Sequence, residues 1–295
     1  MTDAIVTSAL APMYGGPDHR AELTSEAPLG HILEVLEERA PFVAVRAADE
    51  HAGWVHRGHL LLGADTVVAE WREEAHATSL GAVVSVDGRT RVLVPLGARL
   101  ALERDGSVRL PDGRVAEVAS GRVADERTLL EESRAMSAAA WAELFFAGAP
   151  YRWGGVTAWG VDCSGLVRVT FCVRGVRLPR DSARQAKCGE PVAADDAAGD
   201  FAPGDLLFFG EPSAADGSDQ ERRRLLGGAE RRAVTHVAIA AGAGYVVHAS
   251  AAAGGVCRSP LAGGSAEAAW LRESFVTARR VERPAAQASP CDRTG

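Results

Sequence analysis

The chain has 295 residues, of which 47% are hydrophobic and 24% charged, and its 32 basic and 39 acidic residues give a formal net charge of −7. At ~150 residues per domain this length predicts about two domains, and the composition excludes a disordered or collagen-like chain. The sequence has no basic stripe of the kind found on nucleic-acid-binding faces. No segment approaches the ~20 apolar residues of a membrane helix. Neither nucleic acid nor a membrane is therefore an expected partner.

The N-terminal segment, residues 1–17, has no Lys or Arg ahead of its apolar run, and Thr7, Ser8 and Pro12 interrupt that run. It makes a poor secretory signal, so a cytoplasmic location is expected. The cysteines are odd in number, widely spaced and without a CxxC pair, so neither a disulfide framework nor a zinc knuckle is predicted. They are Cys163, Cys172, Cys188, Cys257 and Cys291. No cofactor is expected.

The first third of the sequence predicts short strands. The β-prone runs are His31–Leu36, Phe42–Arg46, Gly53–His56, Val83–Val86, Thr90–Val94, Leu100–Glu103, Ser107–Leu110 and Arg114–Val118. Asp-Gly pairs at Asp87, Asp105 and Asp112 indicate hairpin turns in which both turn residues have positive φ. Strands at this spacing are typical of small barrels rather than of a parallel sheet.

The pattern changes near residue 127. The alanine-rich run Thr128–Ala147 contains neither Gly nor Pro and predicts one helix, with Thr128 and Glu131 as a capping box. We therefore expect a first barrel in residues 1–66, a second in 67–124 and a larger domain in 125–283. The polar segment 211–232 is expected to be a loop, and the tail 284–295 to be disordered.

Cys163 follows a glycine-rich loop and begins a run, 164–174, that fits a helical face. The positive end of a helix dipole and the free N–H groups there favour a thiolate, which is the nucleophilic form. The alternative is that Cys163 is simply a small buried hydrophobic residue.

His236 and His248 lie on two predicted strands around a turn at residues 242–244. Folding that hairpin places the two histidines roughly opposite each other, where their imidazoles can meet. The pair suits a base and a residue that orients it, or else half of a metal site. No carboxylate or third histidine is spaced to complete a metal site, so none is predicted. The other histidines are expected at the surface, His51 excepted: His19, His31, His56, His59 and His76.

Six motifs occur in a fixed order along the chain: PYRWGG, DCSG, RDSARQ, PGDLLFF, THVAIA and YVVHAS. Together they resemble the NlpC-type cell-wall cysteine peptidases, a papain-like family, over about residues 127–281. The resemblance implies Cys163 as the nucleophile, His236 as its base and His248 as the orienting residue. It also implies that Tyr151 stabilises the oxyanion, and the backbone N–H of Cys163 is well placed to join it.

The strand-rich N-terminal region looks like paired bacterial SH3-like (SH3b) barrels. The run beginning at Gly30 and the Gly53-Trp54 pair are similar to their signature, while the second module is assigned by strand count. The implied fold class is α+β, with SH3-like β-barrels followed by a papain-like catalytic domain.

This combination resembles one branch of the family, the cytosolic γ-D-glutamyl-L-diamino-acid endopeptidases of dipeptidyl-peptidase VI type. These recycle imported cell-wall peptides with a free leading L-alanine. The resemblance assigns Asp181 to the alanine ammonium and Ser182 to the border of the site. Residues beside the nucleophile and its loop are also assigned to the pocket: Asp162, Ser164 and Trp153. The branch usually supplies a tyrosine and an acidic residue from the first barrel, where this chain has His51 and, as the best candidate, Glu22.

The favoured interpretation is a cysteine peptidase of peptidoglycan-peptide recycling, with a peptidoglycan-derived peptide as its partner. Three alternatives stay open at this point. One is a secreted endopeptidase of broader specificity that remodels the wall itself. Another is a binding protein in which the SH3b modules act and the peptidase fold is inert. The last is acyl transfer to an acceptor other than water.

Overall fold

The computed structural model describes residues 3–63, 65–194, 197, 199–212 and 232–282, except for the side chains of Asp65, Pro212 and Arg232. The expected disordered tail therefore lies outside the described residues, and so does most of the polar segment 211–232. In the described residues no helix is long and apolar enough to cross a membrane.

The first structural unit is an antiparallel sheet of seven strands. They are β1 (Asp3–Val6), β2 (Leu10–Tyr14), β3 (Leu23–Pro28), β4 (Ile32–Arg39), β5 (Phe42–Arg46), β6 (Ala52–His56) and β7 (Leu60–Leu62), with a 3-10 turn at Arg57–His59. The strand order is β3-β2-β6-β5-β4-β1-β7. Alternate residues face a small core that includes Met13, Leu33, Val43, Val45 and Val55. The predicted strands are confirmed, whereas β1, β2, β3 and β7 were not predicted.

A second seven-stranded antiparallel sheet follows. Its strands are β8 (Ala77–Ser79), β9 (Ala82–Val86), β10 (Thr90–Val94), β11 (Arg99–Leu102), β12 (Val108–Arg109), β13 (Val115–Ser120) and β14 (Val123–Asp125). Their order is β10-β9-β13-β12-β11-β8-β14. Both sheets are consistent with the SH3-like domains that the sequence predicts.

Helix α1 (Asp65–Glu74) lies between the two sheets and was not predicted. Its Val68 and Trp71 pack with Ile5 of the first sheet and Ala101 of the second. The indole N–H of Trp71 also donates to the carbonyl of Gly30 over 2.8 Å. The sequence analysis assigned this region by counting strands. It did not detect the helix, which has few apolar residues.

The Asp-Gly turns differ from the prediction in their backbone. Only Asp87-Gly88 has two positive φ values, 55° and 71°. At the other two turns the positive φ belongs to the glycine alone, 87° at Gly106 and 85° at Gly113. Each of these glycines ends a longer turn. The N–H of Gly106 donates to the carbonyl of Glu103, and the N–H of Gly113 donates to the carbonyl of Leu110. That is the pattern of a type I turn followed by a left-handed residue.

The prediction of a single helix over Thr128–Ala147 is wrong, because the structure has two helices there. They are α2 (Glu126–Arg134) and α3 (Ala138–Phe146). Asp125, not Thr128, caps α2, since its carboxylate accepts the backbone N–H of Thr128 over 2.9 Å. Ser137 has extended backbone angles and caps α3 through the N–H of Ala140, so the chain restarts at that point.

The rest of the chain forms a mixed domain. It contains β15 (Val156–Thr157), β16 (Gly160–Val161), α4 (Cys163–Cys172), α5 (Ser182–Gln185), β17 (Glu190–Val192), β18 (Leu206–Pro212), β19 (Arg232–Gly242), β20 (Tyr245–Ser250), β21 (Gly255–Pro260), α6 (Ala266–Glu273) and β22 (Phe275–Arg280). Its main sheet has the order β17-β22-β18-β19-β20-β21. Helices α3 and α4 cover one face, packing on Phe208 and Ile239, and α6 covers the other beside Phe209. The α+β fold class is therefore confirmed.

Two smaller expectations need correction. His31 is partly buried rather than fully at the surface, since its Nε2 is 2.9 Å from the carbonyl of Gly97, and burial lowers its pKa to about 4. Cys188 is disulfide-bonded, which the odd number and wide spacing of the cysteines did not suggest.

Candidate active site

Cys163 is the first residue of α4, as the sequence predicted. Asp162 caps this helix by accepting the backbone N–H of Gly165 over 2.7 Å. The helix start packs tightly against the preceding loop, since a Cβ at Gly165 would come within 2.2 Å of the Gly155 carbonyl oxygen. The side chain of Cys163 is buried, with only 6% of the residue exposed. The fold thus holds one thiol at a fixed point below the loop of residues 150–155.

The expectation that this helix start favours a thiolate is wrong for the structure as it stands. Burial and the neighbouring charge of Asp162 raise the pKa of Cys163 to about 11, although backbone N–H groups of Val237 and Ser164 act in the opposite direction. Loss of solvation thus outweighs the helix terminus. At neutral pH the site holds a neutral thiol, which needs a base to become a nucleophile.

Alkylation tests this protonation state. Because only the thiolate reacts, the rate of Cys163 alkylation by iodoacetamide should rise about tenfold per pH unit between pH 7 and pH 10. Peptide-level mass spectrometry separates Cys163 from the exposed Cys172, which serves as the internal comparison. A fast rate that does not change between pH 6 and pH 8 would instead reveal a preformed thiolate–imidazolium pair.

The two histidines meet as predicted, with His236 Nε2 2.8 Å from His248 Nδ1. They are diagonal rather than opposite neighbours, because the register pairs Ile239 with Val247 and so sets His248 across from Ala238. Diagonal side chains on one face are within reach when they are long or aromatic. Because His248 occupies Nε2 of His236, Nδ1 is the ring nitrogen of His236 left for another partner.

The surroundings of the pair keep it uncharged. Burial and His248 lower the pKa of His236 to about 3, and the ring packs against Trp270 with centroids 5.5 Å apart. Burial also lowers the pKa of His248, against the opposing charge of Glu267. The Cys163 thiol interacts with the backbone N–H of Val237, the residue after His236. Neutral imidazoles together with a neutral thiol are the starting state of general-base catalysis.

Glu267 is a site residue that the sequence analysis missed. Its carboxylate Oε1 lies 3.3 Å from His248 Nε2, on the far side of the ring from His236. The sequence argument against a metal site concerned a carboxylate that would join both His236 and His248, and Glu267 instead lies at the opposite ring nitrogen of His248. Glu267 comes from α6, and only the folding of that helix onto the sheet brings it to His248.

Tyr151 packs against the hydrophobic cluster that contains Cys163. Burial is the largest effect and raises the pKa of Tyr151 to about 12. The phenol is therefore a neutral donor at physiological pH. Its backbone N–H donates to the Gly254 carbonyl over 2.9 Å, which fixes the loop that carries it.

Asp162 and Ser164 face a buried arginine rather than an open pocket. Arg180 binds both carboxylate oxygens of Asp162, with Nη1–Oδ1 of 3.0 Å and Nη2–Oδ2 of 2.6 Å. It also donates to Ser164 Oγ over 2.8 Å and to Ser25 Oγ over 3.1 Å. Only 2% of Arg180 is exposed. The arginine, which the sequence analysis did not select, thus supports the helix start that carries Cys163.

Strand β3 of the first sheet, with Glu22 just before it, contacts the loop of residues 152–156 that precedes Cys163. Glu22 accepts the indole N–H of the exposed Trp153 over 2.8 Å, so these two predicted residues do come together. Glu26 is a further residue that the sequence analysis missed. It is 1% exposed, accepts the N–H of Val156 and pairs with Arg152 over 3.0 Å. Burial nevertheless raises the pKa of Glu26.

His51, Asp181 and Ser182 lie on the same side as β3. His51 Nε2 is 3.1 Å from Thr24 Oγ1, and the ring is close enough to Asp181 for that charge to act on its pKa, which burial lowers. Asp181 is exposed and makes no capping hydrogen bond to α5, although it occupies the cap position. Ser182 is buried at the start of α5. Asp181 and Glu22 are both exposed acidic residues.

Comparisons with known proteins agree on one family. The model of the NlpC/P60 family matches residues 148–221. A gamma-D-glutamyl-L-lysine dipeptidyl-peptidase of Bacillus subtilis is 34% identical over 131 residues, which are 44% of this chain and 34% of that protein. The probable endopeptidase NlpC of Escherichia coli is 35% identical over 135 residues, 45% of this chain and 70% of that protein.

Two further matches reach into the strand-rich region. Dipeptidyl-peptidase 6 of Lysinibacillus sphaericus is 27% identical over 226 residues, 70% of this chain and 81% of that protein. The crystal structure of an NlpC/P60 family protein from Bacillus cereus superposes with a TM-score of 0.71 at 20% identity, covering 94% of this chain and 99% of the other. That likeness shows the overall fold.

The chain spans about a third of the length of the Bacillus subtilis relative but more than two thirds of the Escherichia coli protein. The identity to the latter, the family model and the shared architecture agree with the resemblance carried by the six motifs. The chain belongs to the NlpC/P60 family and has the cysteine-peptidase fold of that family.

Proposed function

We propose that this protein is a cysteine peptidase that hydrolyses the γ-D-glutamyl-L-diamino-acid bond of peptidoglycan-derived peptides with a free N-terminal L-alanine. The observation that carries the proposal is the 2.8 Å contact of His236 with His248 in the domain whose α4 begins at Cys163. The names of the Bacillus subtilis and Lysinibacillus sphaericus relatives support the choice of substrate.

The first chemical step forms a thioester. His236 Nδ1 takes the Cys163 proton while the sulfur attacks the γ-glutamyl carbonyl carbon, because the buried thiol does not ionise by itself. The backbone N–H of Cys163 and the Tyr151 hydroxyl donate to the oxyanion. His248 accepts the Nε2 proton of His236 in a hydrogen bond, which holds the ring in the required tautomer.

The second step releases both products. Protonated His236 gives its proton to the leaving nitrogen, so that the diamino acid departs as an amine. A water molecule then attacks the thioester, with His236 again as the base, and the dipeptide leaves as a free acid. Both half-reactions use the same oxyanion donors and restore the neutral pair.

In this proposal, exposed carboxylates select substrates with a free N-terminal amine. Asp181 and Glu22 are these carboxylates, and His51 and Trp153 are their neighbours. An ammonium group gains an ionic partner in this position, whereas an acetylated terminus leaves a carboxylate unpaired. His51 takes the place that a tyrosine has in the related branch. With this substrate the working location would be the cytoplasm, and the first SH3-like unit would form a wall of the amine pocket.

The test is cleavage of L-Ala-γ-D-Glu-L-Lys and its diaminopimelate analogue, each beside an N-acetylated form, followed by mass spectrometry. Release of L-Ala-D-Glu from the free-amine peptides alone is the expected result. Equal cleavage of the acetylated peptides would favour a wall endopeptidase of broader specificity. No cleavage of any peptide would contradict the proposal and favour a binding protein or an acyl transferase.

Asp181→Asn should lower kcat/KM for the free-amine peptides about 10- to 100-fold, the usual cost of a lost charged hydrogen bond, with little effect on acetylated ones. The matched control is Asp105→Asn, an exposed turn residue of the second sheet, which should leave both rates unchanged. Equal losses on the two substrate forms would remove Asp181 from the amine pocket.

A further inference from the structure

Three ligand-type side chains cluster directly behind the histidine pair. His248 and Cys257 are cross-strand partners of β20 and β21, so their side chains share a face. Glu267, in the first turn of α6, completes the group. Its Oε1 is 3.3 Å from His248 Nε2 and 3.9 Å from Cys257 Sγ, and the three ligand atoms all lie within 4.8 Å of one another. Three separate elements therefore converge on one point.

The spacing fits a tetrahedral metal. With Zn–N and Zn–O bonds of about 2.0–2.2 Å and a Zn–S bond of about 2.3 Å, ligand atoms lie about 3.3–3.6 Å apart. Two of the observed separations are 3.3 Å and 3.9 Å, and the third is within 4.8 Å, so side-chain shifts of about 1 Å reach those values. Imidazole, thiolate and carboxylate are also the zinc ligand types. His248 is 2% exposed but the Glu267 side chain is 33% exposed, which leaves the fourth position open to water.

We propose that His248, Cys257 and Glu267 bind a thiophilic divalent cation of the Zn²⁺ class, and that the bound ion switches off His236 as a base. Ser259 supports the site, because its hydroxyl lies 3.1 Å from His248 Nε2 and 3.6 Å from Cys257 Sγ. Once Cys257 is a thiolate, this hydroxyl donates to the sulfur as an outer-shell partner.

The switch follows from the direction of one hydrogen bond. Without metal, His236 donates from Nε2 to His248 Nδ1, and its own Nδ1 is free to accept a proton. A metal on His248 Nε2 displaces the proton of that nitrogen, so the neutral ring carries its proton on Nδ1. His248 then donates to His236 Nε2, and the proton of His236 moves to Nδ1. His236 no longer has a lone pair for Cys163, and only the Cys257 proton is released to solvent.

Co²⁺ binding to the full chain tests the site, in a Cys163→Ser background that removes the nucleophile as a ligand. A thiolate-to-cobalt charge-transfer band with a stoichiometry of one is expected. Adding Cys257→Ser should abolish the band, whereas adding Cys172→Ser, the exposed thiol of α4, should leave it intact. Glu267→Gln should weaken binding at least about tenfold, because even outer-shell partners are worth about 10- to 100-fold in metal affinity.

Near-ultraviolet circular dichroism shows whether each variant is folded. If Cys257→Ser does not fold, the Co²⁺ affinity of the Glu267→Gln variant still tests the site. Failure of the Cys163→Ser protein to develop the band, or survival of the band in folded Cys163→Ser/Cys257→Ser, would overturn the site.

The switch has its own readout, ¹⁵N NMR of labelled histidines, which distinguishes the two neutral tautomers. Zn²⁺ should convert His236 from the Nε2–H to the Nδ1–H form in the wild type but not in Cys257→Ser. An unchanged His236 tautomer in the metal-bound protein would overturn the switch. Neither measurement needs turnover, so both remain decisive even if the proposed peptidase activity fails.

Discussion

Replacement of Cys163 by alanine is expected to lower the turnover of L-Ala-γ-D-Glu-L-Lys by at least about 10⁴-fold, the scale on which enzymes lose activity with their nucleophile. The buried thiol has no substitute, because Cys172 lies at the far end of α4 and Cys257 lies behind His248. Without the sulfur no thioester can form, and Tyr151 and the backbone N–H have no intermediate to stabilise. Mass-spectrometric product release over time gives both rates.

Stability separates loss of chemistry from loss of fold. Cys163 is buried but its side chain is small, so the alanine variant should unfold within about 1 kcal/mol of the wild type. Cys172→Ala is the matched control, since it removes an exposed thiol from the same helix and should keep full activity. If the Cys163→Ala protein retained a tenth of the wild-type rate, covalent catalysis by this residue would be ruled out.

The position of Cys163 at a helix start and the meeting of the two histidines could be predicted because their geometry is local. A cysteine after a glycine loop at the start of a helical run, and two histidines on a hairpin, are set by periodicity and turn signals over a few dozen residues. The exact register could not be predicted, since a bulge in β19 between Ala240 and Gly242 shifts the pairing. A shift of that kind leaves no mark in the residue pattern.

The supporting residues were missed because they come from distant parts of the chain. Arg180 meets Ser25 across the boundary between the first sheet and the catalytic domain, and Glu267 reaches His248 only after α6 packs on the sheet. Each looks like an ordinary surface charge in the sequence. The wrong expectation for the pKa of Cys163 has a related cause. The helix start, which lowers the pKa, is visible in the sequence, whereas the burial that outweighs it is not.

The second large effect is expected at the buried Asp162–Arg180 pair. Removing one partner leaves an uncompensated charge in the interior, which costs about 3–5 kcal/mol of unfolding free energy. Asp162→Asn should be the more damaging change. The carboxylate accepts N–H groups from Gly165 and Gly154 besides Arg180, and an amide would turn one of its two oxygens into a donor facing other donors. In Arg180→Met the Asp162 carboxylate keeps both hydrogen bonds from the backbone N–H groups.

Guanidinium unfolding followed by tryptophan fluorescence measures both variants and the double variant Asp162→Asn/Arg180→Met. The double variant should lose less than the sum of the single losses, because it leaves no lone buried charge. Glu131→Gln breaks an exposed pair with Arg127, whose side chains are 70% and 88% exposed, and should cost no more than about 0.5 kcal/mol. Additive losses would mean that the pair is not coupled. In that case the position of Cys163 depends on the Asp162 helix cap alone.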